Sequence, residues 1–282
     1  MIELEQEFNR FIKQQLTITC EQMYDIALQK CKGSYIDSDS CVWYHSAWQY
    51  LRILDKVSSP TWHFDFYYNS FDSYLTKDCK VLISGTADYT LLAILYFVAK
   101  RKNITINVFV CDICETPLLM CKQFAKSNNF EISIFQNDIL SLNCLFQFDI
   151  ITTDAFLSRF PFISKQKIIS KWSTLLSHSG KIITTIRVND RCIRDQVIKS
   201  AEKKDIYLKD IEALLSENYN EKDKLLKLAS DYISSIISIP FCSQSEIIDV
   251  MTEHNLSVLH LESTIVKGEV EPCEYYRTIL QK

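Results

Sequence analysis

Lys80-Val81-Leu82-Ile83-Ser84-Gly85-Thr86-Ala87-Asp88-Tyr89 decides how the rest of this chain is read. The apolar run inside it is too short for a helix and ends at a glycine, while Asp88 to Lys100 carries apolar residues at helical spacing. A buried strand, a tight turn and a helix are expected in succession, which is the repeating unit of a parallel sheet. Glycine is scarce, with four in 282 residues, so the one set between strand and helix marks a backbone that something approaches closely. A residue without Cβ permits that approach, and the N-terminus of the helix behind it can receive an anionic group.

The unit recurs downstream. Ile104 to Cys111 is rich in β-branched residues and leads into Thr116 to Ser127, a helix with Pro117 in its first turn. Glu131 to Phe135, Phe148 to Thr153 and Lys181 to Val188 are further strand candidates, with a helix over Ser164 to His178 and Gly180 as its stop signal. Ser243 with Glu246 caps a helix to about His254, and the runs Ser257 to Val266 and Glu274 to Leu280, parted by Lys267-Gly268-Glu269, read as a terminal hairpin. Strands alternating with helices imply a sheet covered on both faces. The expected class is α/β: a doubly wound, seven-stranded, mostly parallel sheet with a C-terminal antiparallel hairpin.

The first 75 or so residues read as helices. Phe8, Phe11, Ile12 and Leu16 form one stripe, Thr19 with Gln22 suggests a capping box opening a second helix, and Gly33 would stop it. After the polar stretch Asp37 to Ser40, a further stripe runs through Trp43, Ala47, Trp48, Leu51, Leu54 and Val57 to Ser58-Ser59-Pro60. Residues 189–240 interrupt the strand–helix rhythm with two or three amphipathic helices, read as an insertion. The organisation expected is a helical cap over 1–78 and a ligand-binding domain over 79–282.

Open parallel sheets bind ligands beyond the carboxyl ends of their strands. There the chain offers Ser84-Gly85-Thr86-Ala87-Asp88, then Asp112-Ile113, then Asn137-Asp138-Ile139, then Thr153-Asp154. Asp112 is placed to accept both hydroxyl protons of a ribose. Asp138 is placed to accept from an adenine amino group, with Ile139 against the ring. Together these residues describe an adenosyl ligand. Tyr44, Trp48, Phe66 and Tyr67 are candidate walls for a second substrate, although aromatic stripes serve a core equally well.

On these residues and this order of elements, the chain resembles the class I S-adenosylmethionine-dependent methyltransferases over roughly 80–282. Their first loop commonly reads acid-x-Gly-x-Gly-x-Gly, where this chain has Ile83-Ser84-Gly85-Thr86-Ala87-Asp88-Tyr89. One glycine survives, Ala87 stands for the next, and Ile83 replaces the acid, with Asp88 as the candidate substitute. The resemblance implies S-adenosyl-L-methionine as cofactor, a reversed seventh strand, and methyl transfer to nitrogen, oxygen or a carboxylate of a small molecule or peptide. For an acceptor that must lose a proton, His45 and Asp154 are the candidate bases. The alternatives are a non-catalytic adenosyl-binding module and a transferase that moves another part of the same cofactor, such as an aminopropyl group.

Other classes fit less well. Net charge is −4 without a basic cluster, which disfavours nucleic acid, and eighteen successive apolar residues occur nowhere, which disfavours a membrane span. Eleven cysteines in odd number suggest reduced thiols, and the acidic start suggests no export signal, so the expected location is cytoplasmic. Cys111-Asp112-Ile113-Cys114 is a Cys-x-x-Cys, but an acid between the thiols opposes thiolate formation. His45, His63, His178, His254 and His260 show no ligand spacing with cysteine, so no metal is expected. A nicotinamide site lacks its second glycine and a serine hydrolase its Gly-x-Ser-x-Gly. The insertion could serve as a lid or a homodimer surface.

Overall fold

A computed structural model describes residues 2–31, 40–189, 199–215 and 221–282, without the side chains of 15–19. Seven strands, β1 (Lys80–Ser84), β2 (Asn107–Asp112), β3 (Ile132–Gln136), β4 (Phe148–Asp154), β5 (Leu176–Val188), β6 (Ser257–Val266) and β7 (Cys273–Gln281), form one sheet in the order β3-β2-β1-β4-β5-β7-β6. Pairing from β3 across to β5 is parallel, and β7 runs antiparallel between β5 and β6. The α/β class, the mostly parallel sheet and the reversed last strand are those expected. Strand order turns back at β1, between β2 and β4, which opens a crevice at their carboxyl ends.

Strand β1 shows why the sheet takes two helical layers. Val81 and Ile83 are buried in one core and Leu82 in the other, as a period of two requires. The first core receives α1 (Ile2–Lys30), α3 (Phe64–Tyr74), α4 (Thr90–Lys102) and α5 (Glu115–Ser127); the second receives α6 (Phe162–Leu175) and α9 (Gln244–Glu253). A third, smaller core joins α2 (Val42–Ile53) to the two helices of the interrupting segment, α7 (Ala201–Leu214) and α8 (Lys222–Ser235). Trp48, Leu51, Tyr207, Ile211, Tyr232 and Ile233 meet there. Early and late parts of the chain thus build one structure together.

Two local expectations fail for identifiable reasons. Helix α1 runs unbroken through Thr19, because Phe8, Ile12, Cys20, Met23 and Ala27 are all buried along one continuous face. The proposed stop at Gly33 lies outside the described residues. Helix α6 ends at Leu175 and β5 begins at once, so Gly180 lies inside a strand rather than after a helix. A Cβ at Gly180 would stand 2.9 Å from both Leu176 Cδ2 and the Phe148 carbonyl oxygen, so this glycine serves close strand packing.

Asp88 fastens α2 over the carboxyl edge. Its Oδ2 accepts from Trp48 Nε1 at 2.8 Å and pairs with the Arg52 guanidinium, while Oδ1 accepts from the Thr90 amide at 2.7 Å at the start of α4. Asp88 and Arg52 side chains are each 3% exposed. Removing one member of a buried pair strands the other charge, a loss of about 3–5 kcal/mol. Asp88→Ala should lower the unfolding free energy by about that amount in urea titrations, while Asp138→Ala, which removes only a cap on the Leu140 amide, should cost about 1 kcal/mol.

Candidate functional site

The crevice is a cavity of about 860 Å³. Its floor is the carboxyl edge of the sheet: Gly85 to Asp88 after β1, Asp112 and Ile113 after β2, and Asp154 to Phe156 after β4. Tyr44, His45 and Trp48 of α2 cover it from above, and Ser235 to Ser238 and Arg159 close one side.

Gly85 and Asp112 meet at this rim. Gly85 has φ +74° and donates its amide to the Cys111 carbonyl at 2.8 Å, which turns the loop toward β2. The next amide, of Thr86, donates to Asp112 Oδ2 at 3.0 Å, and the Cys114 amide donates to Oδ1 at 2.8 Å. A carboxylate offers about four lone-pair sites, so this one retains acceptor capacity on both oxygens. Burial raises Asp112 to about 6, against the pull of its two backbone donors. The bare Cα of Gly85 also accommodates the protein itself: a Cβ there would fall 2.3 Å from Phe156 Cε2.

The remaining expected residues divide. Asp154 lines the cavity, and its Oδ1 accepts from Tyr67 Oη at 2.8 Å and Thr185 Oγ1 at 2.6 Å, which holds the carboxylate in one orientation. Ser84 is buried beneath the floor and accepts from Trp172 Nε1 at 2.9 Å. Thr153 is buried beside it. Asn137, Asp138 and Ile139 do not line the cavity; Asp138 caps the short helix Ile139–Ser141, and Ile139 belongs to the core. Phe66 and Tyr67 are also core residues, whereas Tyr44 and Trp48 face the cavity. Burial pushes the Tyr44 phenol up, which keeps its proton.

Sequence reasoning passed over Arg159 and a thiol cluster. Arg159 lines the cavity with its guanidinium 5.5 Å from the Tyr44 ring centre and donates to the Ile237 carbonyl at 2.9 Å. It lies in the short helix Phe156–Arg159 after β4, beyond the small residues and acids at the strand end. His45 does not stand free as a base: its Nδ1 is 3.3 Å from Cys31 Sγ and 3.6 Å from Cys114 Sγ. Burial would lower its pKa, but hydrogen bonds and charge from Cys114 and Cys41 raise it to about 10. Hydrogen bonds from Cys31 and Cys41 in turn lower the Cys114 pKa. The Cys-x-x-Cys is not a pair, since Cys111 Sγ turns to the Asn137 carbonyl. Among the described residues nine cysteines are free, whereas Cys242 is disulfide-bonded, a departure from the expectation of reduced thiols.

No protein-family model and no curated protein matches this sequence. Solved structures do. The chain is similar to the Burkholderia thailandensis 1,6-didemethyltoxoflavin-N1-methyltransferase, with a TM-score of 0.54 and 10% identity, covering 78% of this chain and 77% of that one. A Clostridium acetobutylicum S-adenosylmethionine-dependent methyltransferase gives 0.52 and 11%, covering 82% and 95%; one from Methanosarcina mazei gives 0.51 and 14%, covering 74% and 95%. At such identities the shared property is the fold, and this chain has the Rossmann-like fold of the class I methyltransferases. No described helix is long and apolar enough to cross a membrane.

Gly85→Ala tests the turn. Left-handed backbone costs a non-glycine residue about 1–2 kcal/mol, and the new methyl also strikes Phe156. Chemical denaturation should show a loss above that range, which Phe156→Leu in the same chain reduces toward the backbone cost alone.

Proposed function

We propose that this chain is an S-adenosylmethionine-dependent methyltransferase acting on a small molecule or peptide. The observation that carries the reading is the hydrogen bond from the Thr86 amide to Asp112. It joins the glycine turn and the ribose-type acid into one grip at the mouth of a cavity. The residues fit the cofactor: Asp112 has lone pairs to spare for two hydroxyls, and Ile113, 43% exposed, offers an apolar surface to the base. Bound there, the cofactor would supply an electrophilic methyl group on a sulfonium. The structurally similar Burkholderia enzyme is bound to S-adenosylhomocysteine and 1,6-didemethyltoxoflavin, a cofactor product and a small molecule together.

The first loop lacks the family's usual acid. Ile83 is fully buried, and the carboxylate of Asp88 is taken up by Arg52, Trp48 and Thr90, so neither replaces it. Asp154, at the same rim and pinned by two hydroxyls, is the acid we assign to the amino end of the cofactor. Arg159 is the cation we assign to a carboxylate, on the cofactor or on the acceptor. The chain would hold the acceptor nucleophile against Tyr44 and Trp48 in line with the reacting carbon. Alignment of that kind is worth effective molarities of about 10⁵–10⁸ M and can carry much of the rate. The cavity volume lies toward the upper end of the roughly 300–1,000 Å³ of small-molecule sites, which favours a two-substrate enzyme over a cofactor-only module.

Calorimetric titration of the purified chain should give binding of S-adenosylmethionine and S-adenosylhomocysteine and none of NAD; binding of NAD alone would overturn the reading. Asp112→Ala removes two charge-assisted hydrogen bonds of about 1.5–3 kcal/mol each, so affinity for S-adenosylhomocysteine should fall by about 100-fold or more. Ribose hydroxyls need the ionised carboxylate. Because Asp112 holds its proton up to about 6, affinity should be level above that pH and weaken below it, approaching about tenfold per unit until the bound complex is protonated as well.

A further inference from the structure

We infer that Cys31, Cys41, His45 and Cys114 form a zinc site that ties the N-terminal helices to the loop carrying Asp112. The four ligand atoms lie within 4.8 Å of one another. They come from three places in the fold: Cys31 directly follows α1, Cys41 is the residue before α2 with His45 one turn further on, and Cys114 precedes α5. Cys31, His45 and Cys114 are buried, and Cys41 is half-buried.

Geometry separates this cluster from a chance meeting of thiols. With Zn–S near 2.3 Å and Zn–N near 2.0–2.1 Å, a tetrahedral site has S···S edges of about 3.8 Å and S···N edges of about 3.6 Å. Cys31 and Cys114 sulfurs are 3.7 Å apart, and Cys41 and Cys114 sulfurs 3.6 Å. From His45 Nδ1 the distances are 3.3 Å to Cys31 and 3.6 Å to Cys114. Four of the six edges thus lie close to those of a zinc tetrahedron, and the remaining two, from Cys41 to Cys31 and to His45, are within 4.8 Å. A Cys31–Cys114 disulfide would need sulfurs about 2.05 Å apart and has no use for an imidazole and a third thiol.

The donor set selects the metal. Three thiolates and one imidazole in a tetrahedron suit zinc, and with four protein ligands no position is open to substrate, so the role is structural. Thr116 Oγ1 lies 3.1 Å from Cys31 Sγ and supplies the outer hydrogen bond that ligating sulfurs commonly receive. Binding displaces the thiol protons and requires His45 neutral. The structural consequence reaches the crevice, because the Cys114 amide donates to Asp112 Oδ1. The ion would hold the ribose-type acid in place from behind, a consequence that rests on the cofactor reading, whereas the site itself does not.

Metal content is therefore measured first, with no cofactor present. The full chain, purified under reducing conditions, should carry about one zinc per molecule by inductively coupled plasma mass spectrometry. Replacement by Co(II) should give the visible bands of a tetrahedral ion with thiolate charge transfer. Cys31→Ser and Cys114→Ser should each lower zinc retained after chelator dialysis by about fivefold or more. His45→Cys, which keeps four ligands, and Cys144→Ser, outside the cluster, should retain it. A folded chain that takes up no stoichiometric zinc on reconstitution overturns the proposal, as does a Co(II) spectrum without thiolate bands or a Cys31–Cys114 disulfide in non-reducing peptide maps. Loss of zinc with S-adenosylhomocysteine affinity reduced would connect the two sites; zinc retained by a chain that binds no adenosyl ligand would leave the metal site standing and the methyltransferase reading fallen.

Discussion

One half-buried carboxylate organises the working edge of this protein. Asp112 accepts the Thr86 amide from the loop after β1 and the Cys114 amide from the loop after β2. The two loops converge because a low-dielectric carboxylate without donors is costly, and here two backbone N–H groups lie within reach. Remove that acceptor and the glycine turn loses its brace, and the Cys114 amide loses the acceptor that fixes the turn into α5 beside Cys31 and His45. The proposed cofactor grip and the thiol cluster are therefore opposite sides of the same residue.

A second carboxylate, Asp88, shows what the loop after β1 does in this fold. In the family pattern this loop is lean, so that backbone faces ligand. Here the loop ends in a side chain that reaches away from the sheet to Arg52 and Trp48 and draws α2 over the cavity. The cover is then completed by α7 and α8 through Tyr207, Ile211, Tyr232 and Ile233. What the loop gives up in glycine it returns as an anchor for a roof, and the roof contributes the aromatic side chains that face the crevice.

Much of the fold was legible because its signals are local. The run Val81 to Ile83 with Gly85 behind it, the β-branched strand β2 and the capped helix after Ser243 each carry enough information within a few residues to define an element. Reading failed where a local signal met a longer-range demand. Thr19 and Gln22 look like a helix start, yet the apolar face of α1 continues past them against α2 and α5. Gly180 looks like a helix stop, yet Leu176 already pairs with Phe148 of β4. Asp138 and Ile139 stood at the right place in sequence for a ligand, but packing turned one into a cap and the other into core.

The sequence by itself determined the sheet, its two helical layers, the reversed last strand and the placing of Gly85 and Asp112 after adjacent strands, because hydrophobic period and turn chemistry act over a few residues. Only the tertiary structure decided which acids keep free lone pairs, since that depends on donors such as Arg52, Tyr67 and the Thr86 amide that are distant in sequence. It alone brought Cys31 and Cys114, eighty-three positions apart, to 3.7 Å. Cys41 and His45 do sit at helical ligand spacing, but a pair of donors holds no ion. The other two arrive through the docking of α1 against α2 and α5, and side-chain convergence of that kind has no period that a linear reading can detect.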